Sequence, residues 1–266
     1  MDATGLYPNY TAGGFNDLGQ AINAAIAMLP PSALSPHAGE VTIGPGIFYS
    51  STTVIRPQQV TIRGSGNGTL IVFLPLTGLF AIDGDGIGSA GSGGWSDLRL
   101  QGPKNTTNPT ATADAFFLGG DPKGIIAPAA NMAPFSNYNN VEIGYFHTGV
   151  RIGNNVWDIG LTQCRIHDNV NGAAVEPYVT NVGEVLGFFN SQVYNNSSHA
   201  LYAPGGRFPA IGWTAVGSAF DYNGDGIHPT IVGQMRSITC HFEQKHWPIW
   251  DGQHIDFGSS VVIVGT

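Results

Sequence analysis

The chain has 266 residues, of which 42% are hydrophobic, only 11% are charged and 38 are glycine. Its net charge of −8, without a basic cluster, disfavours nucleic acid as a partner because phosphate binding requires lysine and arginine. No apolar run approaches the roughly 18 residues of a membrane helix, so we expect no membrane partner either.

The first predicted element is an amphipathic helix near the N-terminus. Apolar residues recur there at spacings of three and four, the period of a helix with one buried face: Phe15, Leu18, Ile22, Ile26 and Leu29. Asn16 or Asp17 can cap its start, and Pro30 ends it. We therefore predict an N-terminal segment, residues 1–36, followed by short strands over residues 37–266.

The first predicted strands carry motifs that resemble a known superfamily. In residues 39–73 apolar positions alternate with polar ones from Val41 and Ile43, and Val60-x-Ile62-x-Gly64-x-Gly66 follows. With the preceding helix, this pattern resembles the N-terminal segment of the pectate-lyase-like parallel β-helix superfamily, which includes polygalacturonases, pectate lyases and phage tailspikes. The resemblance implies an all-β fold, a single-stranded right-handed parallel β-helix whose N-terminal α-helix caps the first coil.

The same resemblance implies a polysaccharide partner and an extracellular or virion-surface location. We expect a carbohydrate-active enzyme that cleaves a polysaccharide, a glycoside hydrolase first and a polysaccharide lyase second. The alternatives are a tailspike-like or surface β-helix that binds glycan as a homotrimer, with or without cleavage, and a purely structural solenoid. Hydrolases, lyases, epimerases and tailspikes share this fold, so the motifs specify the fold more closely than the activity.

Two features between the first strands and the later coils stand apart. Residues 101–139 lack clear alternation, which predicts a long inserted loop, either a lid over a substrate groove or an irregular excursion. We expect no resident cofactor and no metal site, with the acidic turn Asp83-Gly84-Asp85 as the weak candidate for Ca²⁺.

From residue 140 the chain is periodic. Apolar positions recur at intervals of 23, 27, 27 and 22 residues, the length of one β-helix coil: Ile143, Ile166, Val193, Phe220 and Phe242. Asn169, Asn196 and Asn223 follow three residues after their aligned positions, which predicts a ladder of stacked asparagines at a turn. Cys164 and Cys240 precede theirs by two, point inward and lie about 14 Å apart, so we expect free buried thiols.

The outward positions beside this register hold the first candidate catalytic residues. Asp221 and Glu243 lie on adjacent coils, about 5 Å apart at the backbone, a spacing close to that of the carboxyl pair in retaining glycosidases. In a lyase, His167 or Tyr194 would instead remove a proton beside a uronate carboxylate that Arg165 neutralises. A solvated polar face with a modest ion pair is the alternative without function.

A second candidate face follows from another resemblance. The stretch from Asn223 to His228 resembles the N-T-D-G-I-D motif of polygalacturonases, which implies a catalytic role for Asp225. Gly224 and His228 depart from that motif, and the family's D-D, G-H-G and R-I-K motifs are absent. A common Asn-Gly-Asp-Gly turn is the structural alternative.

Substrate-binding candidates complete both faces. Coil counting places Glu176 and Arg151 on the same side as Asp225, with His228 beside them. Aromatic residues could stack on sugar rings through their apolar faces: Tyr222, Trp247 and Trp250.

Overall fold

The computed structural model describes residues 16–33, 35–84, 93–203, 212–225, 231–232, 234–244, 255–256 and 261–264. Within them the chain forms an α-helix, α1 (Leu18–Ala27), and 23 β-strands. In chain order the strands are β1 (Gly39–Thr42), β2 (Gly46–Ser50), β3 (Val54–Arg56), β4 (Val60–Arg63), β5 (Thr69–Phe73), β6 (Leu79–Asp83), β7 (Gly94–Gln101), β8 (Asp114–Leu118), β9 (Asn137–Gly144), β10 (Thr148–Ile152), β11 (Val156–Thr162), β12 (Arg165–His167), β13 (Asn171–Val175), β14 (Val182–Phe189), β15 (Gln192–Tyr194), β16 (His199–Tyr202), β17 (Gly212–Val216), β18 (Ala219–Asn223), β19 (Ile231–Val232), β20 (Gln234–Ile238), β21 (His241–Gln244), β22 (Ile255–Asp256) and β23 (Val261–Val264).

The strands pair in parallel and form three faces around one main core. Strand β9 pairs with β11 through its first residues and with β12 through its last, so the 15-stranded sheet bends into two faces. The first face contains β2, β5, the C-terminal halves of β7 and β9, and β12, β15, β18 and β21. The second face is the eight-stranded sheet, β3, β6, β8, β10, β13, β16, β19 and β22. The third face contains the N-terminal halves of β7 and β9 and the remaining strands, β1, β4, β11, β14, β17, β20 and β23.

The predicted coil register is confirmed. Ile166 pairs with Ile143 on one side and Val193 on the other, and Phe220 pairs with Val193 and Phe242. The first four of these side chains are fully buried. The intervals of 22 to 27 residues are therefore turns of a β-helix, in which every coil adds one strand to each face.

The asparagine ladder is also confirmed. Asn169 Nδ2 donates to Asn196 Oδ1 at 3.1 Å, and Asn196 Nδ2 donates to Asn223 Oδ1 at 2.8 Å. The same oxygens accept the backbone N–H groups of Asn169 and Asn196. Each buried amide thus ties two successive coils together between the first and second faces.

The inward position of Cys164 continues through Ser191 and Ser218 on the following coils and forms a second ladder. Ser191 Oγ accepts the backbone N–H of Cys164 at 3.0 Å, and Ser218 Oγ accepts that of Ser191 at 3.1 Å. Cys164 and Cys240 are free and buried, as expected from their separation. Burial raises the pKa of the Cys164 thiol to about 12 and outweighs the backbone hydrogen bonds at Val141, Thr162 and Asn140, which lower it.

Helix α1 begins where the sequence predicts. Asp17 is its N-cap and accepts the backbone N–H of Gln20 at 3.1 Å. The helix contacts β1, β2 and β3, and the side chains of Leu18, Ile22 and Ile26 are part of the core. No helix of the described chain has the length and apolarity needed to cross a membrane.

The long loop expected over residues 101–139 is interrupted by a strand. Strand β8 pairs with β6 and β10 in the second face and is buried along its whole length. Its outward Phe117 packs with Ala127 and Leu79 under the segment that follows, so both sides of the strand are covered. A strand buried on both sides has no polar alternation, which is why the sequence pattern conceals it.

A buried ion pair occupies the core near α1. Arg56 and Asp83 have fully buried side chains, and Arg56 Nε lies 3.0 Å from Asp83 Oδ1. Trp95 Nε1 and the Tyr138 hydroxyl both donate to the Asp83 carboxylate. Asp83 therefore faces inward to Arg56, and Asp85, the second carboxylate of the candidate Ca²⁺ turn, lies outside the described residues, so that candidate stays a prediction.

Candidate functional site

The lyase candidates lie together on the first face but are engaged with one another. Glu142 Oε1 lies 2.9 Å from Arg99 Nη2, and Glu142 Oε2 lies 3.6 Å from Arg165 Nη1. His167 Nε2 lies 3.6 Å from the same carboxylate, and His167 Nδ1 lies 2.7 Å from Asp168 Oδ2. The positive charge of Arg165 thus faces a protein carboxylate, in the place where a uronate carboxylate was expected.

Neither proposed base is well placed for proton abstraction. The His167 ring is buried and stacks on Tyr194, with centroids 4.9 Å apart and planes 12° apart. Burial raises the pKa of the Tyr194 hydroxyl, and the nearby carboxylates of Glu142 and Asp168 raise it further. A tyrosine base requires the opposite shift, so this arrangement does not favour β-elimination.

Asp221 and Glu243 pair across adjacent coils, as the register predicts. However, each carboxylate already has its own partner: Asp221 Oδ1 lies 2.8 Å from His241 Nδ1, and Glu243 Oε1 accepts the Tyr222 hydroxyl at 2.5 Å. Asp221, His241 and Glu243 each offer one ligand atom within 4.8 Å of the others, a group that could hold a metal ion. His241 and Glu243 are exposed on an open strand surface.

The polygalacturonase-like stretch is only partly described. Asp225 is exposed at the end of the turn that follows β18, and it is not among the described residues that line the cleft around Arg151 on the second face. His228, Trp247 and Trp250 lie outside the described residues.

Arg151 and Glu176 meet in a cleft on the second face, as coil counting suggested. Arg151 Nε and Nη2 both lie 2.8 Å from Glu176 Oε1. On its other side, Arg151 Nη1 donates to Asp114 Oδ2 at 2.7 Å. We call this space the second-face cleft; its cavity volume is about 360 Å³, and its described lining is Thr112, Asp114, His147, Thr148, Arg151, Asn171, Ala174, Val175, Glu176, Pro177 and Tyr202.

The strand register explains how the cleft forms. Arg151 pairs with Phe117 of β8 and with Ala174 of β13, and Ala174 pairs with Tyr202 of β16. Because Val150 and Ile152 point into the core, this column points outward. The short side chain of Ala174 leaves a gap between Arg151 and Tyr202, which are two strand spacings, about 10 Å, apart.

The electrostatics of the second-face cleft centre on Arg151. Partial burial alone would lower the pKa of its guanidinium, but the charges of Asp114 and Glu176 outweigh burial and raise it. The guanidinium also lies over the Phe117 ring, 5.6 Å from the centroid. A guanidinium with two carboxylates on different edges is held rigidly and is positively charged at every physiological pH.

Asp114 has one oxygen without a hydrogen bond. Oδ2 pairs with Arg151, whereas Oδ1 is buried and has no hydrogen-bond partner among the described residues. His147 Nδ1 lies 3.4 Å from Oδ1, close enough for an ionic contact but without hydrogen-bond geometry. An unsatisfied buried acceptor costs about 1–3 kcal/mol, a cost that a bound donor would remove.

Sequence reasoning found Arg151 and Glu176 and missed Asp114 and His147. Asp114 opens β8, the strand concealed within the expected loop, and its partner in register is Leu79. The alignment of Phe116 with the inward Val150 is visible only in the strand pairing, so the sequence carried no signal for Asp114. His147 directly precedes β10 and carried no motif.

Comparison with known proteins finds relatives in structure and none in sequence. No family model matches the chain, and no curated protein is significantly similar. It superposes on Geobacillus virus E2 ORF18 with a TM-score of 0.65 at 16% identity, over 86% of this chain and 46% of that one. The Dettilon tailspike protein gp208 aligns with a TM-score of 0.49 at 9% identity, over 85% and 42%. Pectin methylesterase PemA from Erwinia chrysanthemi aligns with a TM-score of 0.48 at 13% identity, over 98% and 91%.

These comparisons bear on the fold alone. The chain spans about half the length of the ORF18 protein, and the two alignments with TM-scores below 0.5 carry no argument. The superposition on ORF18 and the parallel strand order agree with the resemblance in residues 39–73. The chain has the right-handed parallel β-helix fold.

Proposed function

We propose that the protein is a carbohydrate-active enzyme that binds a glycan in the second-face cleft and hydrolyses a glycosidic bond there. The observation that carries the proposal is the convergence of Asp114, His147, Arg151 and Glu176 in one concave space. Concave sites with a few convergent polar groups are the usual place for ligand binding. The first face offers polar residues too, but His241 and Glu243 are exposed on an open strand surface rather than gathered in a concave one.

The chemistry follows from which groups can give or take a proton. Glu176 lines the cleft as a carboxylate held in place by Arg151, so it is positioned to act as a base. His147 is half-exposed, lines the same cleft and is the residue type that exchanges protons near neutral pH. Glu176 takes a proton from water as the oxygen attacks the anomeric carbon; the glycosidic C–O bond breaks, and the leaving oxygen takes a proton from His147.

One observation favours a second function, glycan binding without cleavage. The acid of most glycosidases is a carboxyl group that carries a proton, whereas both carboxylates of the described cleft lining are paired with Arg151. If His147 cannot supply that proton, the cleft binds sugar and leaves it intact. The capping role of α1, the homotrimer and the extracellular or virion-surface location stay predictions.

The test is a screen of the purified protein against neutral, amino and uronate polysaccharides. We expect new reducing ends without the absorbance of unsaturated uronates. Glu176→Gln and His147→Asn should each lower turnover at least a hundredfold, whereas Asp221→Asn and Glu243→Gln on the first face should not change it. Loss of turnover only in the first-face variants would overturn the choice of site, and binding without turnover would select the second function.

A further inference from the structure

The charges in the second-face cleft restrict which sugars it can accept. Its described lining carries two carboxylates, Asp114 and Glu176, against one guanidinium, Arg151, so its net charge is −1 while His147 is neutral. In a partly dehydrated cleft, charges are screened less than on the open surface. While His147 is neutral, a bound carboxylate would therefore meet net repulsion; the protonated His147 that hydrolysis requires would bring the net charge of the lining to zero.

Arg151 cannot offset that repulsion by binding a sugar carboxylate itself. Its Nε and Nη2 are directed to Glu176 and its Nη1 to Asp114, at 2.7 to 2.8 Å. Three of its five N–H donors are thus engaged by protein carboxylates, so a uronate would meet only the two that remain, beside two like charges. The arginine that usually recognises an acidic sugar is thus already committed to the protein.

The unpaired oxygen of Asp114, Oδ1, favours a ligand that offers a hydrogen-bond donor. It is a buried acceptor without a hydrogen bond, on a residue that lines the cleft. The Asp114 side chain is 5% exposed, so solvent satisfies it poorly. Oδ1 can pair with a hydroxyl or ammonium group of a ligand, or with a protonated His147 3.4 Å away, but not with another carboxylate.

From these observations we infer that the second-face cleft is specific for sugars that present hydroxyl or ammonium donors and carry no carboxylate. Asp114 Oδ1 accepts a hydrogen bond from that sugar, and the gap above Ala174 receives its ring. The inference rests on the proposed glycan site but is independent of whether the bound sugar is cleaved.

The experiment compares oligosaccharides that share a linkage and differ at C6. Mannan and mannuronan oligomers form such a pair, and chitosan oligomers supply the amino sugar. We expect calorimetry to give at least tenfold tighter binding of the mannan or chitosan oligomer than of mannuronan. This difference in affinity should narrow as salt is added, because salt screens the repulsion between charges. Equal or tighter binding of mannuronan would overturn the inference and leave the glycan site standing; no binding by a broad glycan panel would overturn both.

Two variants separate the charge from the shape of the cleft. Glu176→Gln removes one negative charge, so it should improve mannuronan binding relative to mannan severalfold, a change of ratio that a structural role would not produce. Ala174→Leu fills the gap and should abolish binding of every oligomer, whereas Gln192→Leu, an outward change on the first face, should not affect it. Unfolding curves check that each variant folds, and an unchanged ratio in Glu176→Gln would overturn the electrostatic basis.

Discussion

The carboxylates of Asp114 and Glu176 share one guanidinium, that of Arg151, although they belong to different coils of the β-helix. Asp114 Oδ2 lies 2.7 Å from Nη1, and Glu176 Oε1 lies 2.8 Å from Nε. The arginine stands between them because β10 lies between β8 and β13 in the second face. A charge network of this kind spans three coils, and so it links the stability of the β-helix to the geometry of its cleft.

Removing Arg151 should therefore destabilise the fold. Arg151→Met leaves Asp114, which is almost fully buried, without its counter-ion, and we expect a loss of about 2–3 kcal/mol in the free energy of unfolding. Urea denaturation measures it. The matched control is Arg165→Met, whose guanidinium is half-exposed and 3.6 Å from Glu142, with an expected change below about 0.5 kcal/mol. Equal effects in the two variants would show that the second-face network does not stabilise the fold.

The asparagine ladder should contribute through the groups it satisfies. Asn196→Ala removes the acceptor of Asn169 Nδ2 and the donor to Asn223 Oδ1, and all three residues are buried. We expect a loss of about 3 kcal/mol in the free energy of unfolding. Thermal and urea unfolding report the change. Asn181→Ala removes an exposed amide bonded to Asn155 and should cost less than about 1 kcal/mol. A small effect at Asn196 would mean that water or neighbouring groups replace the ladder.

Much of the fold was predictable because a β-helix repeats itself along the chain. Ile143, Ile166 and Val193 are aligned in the sequence at the same spacing at which they pair in space. Arg151 and Glu176 could be assigned to one side by counting coils. Asp114 could not be assigned in this way, because its strand is covered on both sides and shows no alternation. The Arg56–Asp83 pair could not be predicted either, because Asp83-Gly84 resembles an exposed acidic turn.

The raised pKa of Cys164 predicts a specific alkaline sensitivity. The folded state favours the protonated thiol, with a pKa of about 12 against 9.0 for the ordinary group. The resulting stabilisation is fully present below pH 9 and is lost as the pH rises through 12. We expect the difference in unfolding free energy between the native protein and Cys164→Ala to shrink over this interval. The difference in unfolding free energy at pH 7 gives the cost of the substitution that does not depend on pH. If the unfolding free energies of the two proteins changed in parallel from pH 8 to 11.5, the raised pKa of Cys164 would be contradicted.

The buried pair of Arg56 and Asp83 should be the most sensitive charged site in the described core. Asp83→Asn leaves the fully buried Arg56 guanidinium without a counter-ion, so we expect a loss of about 3–5 kcal/mol in the free energy of unfolding. Glu40→Gln is the control, because it breaks the exposed contact with Arg63 at 3.2 Å and should cost less than about 1 kcal/mol. Asp83 is engaged by Arg56, Trp95 and Tyr138, so adding Ca²⁺ should not change the difference between the native protein and Asp83→Asn. A calcium-dependent difference would show that Asp83 binds the ion, and a cost comparable to that of Glu40→Gln would show that the buried charge is compensated elsewhere.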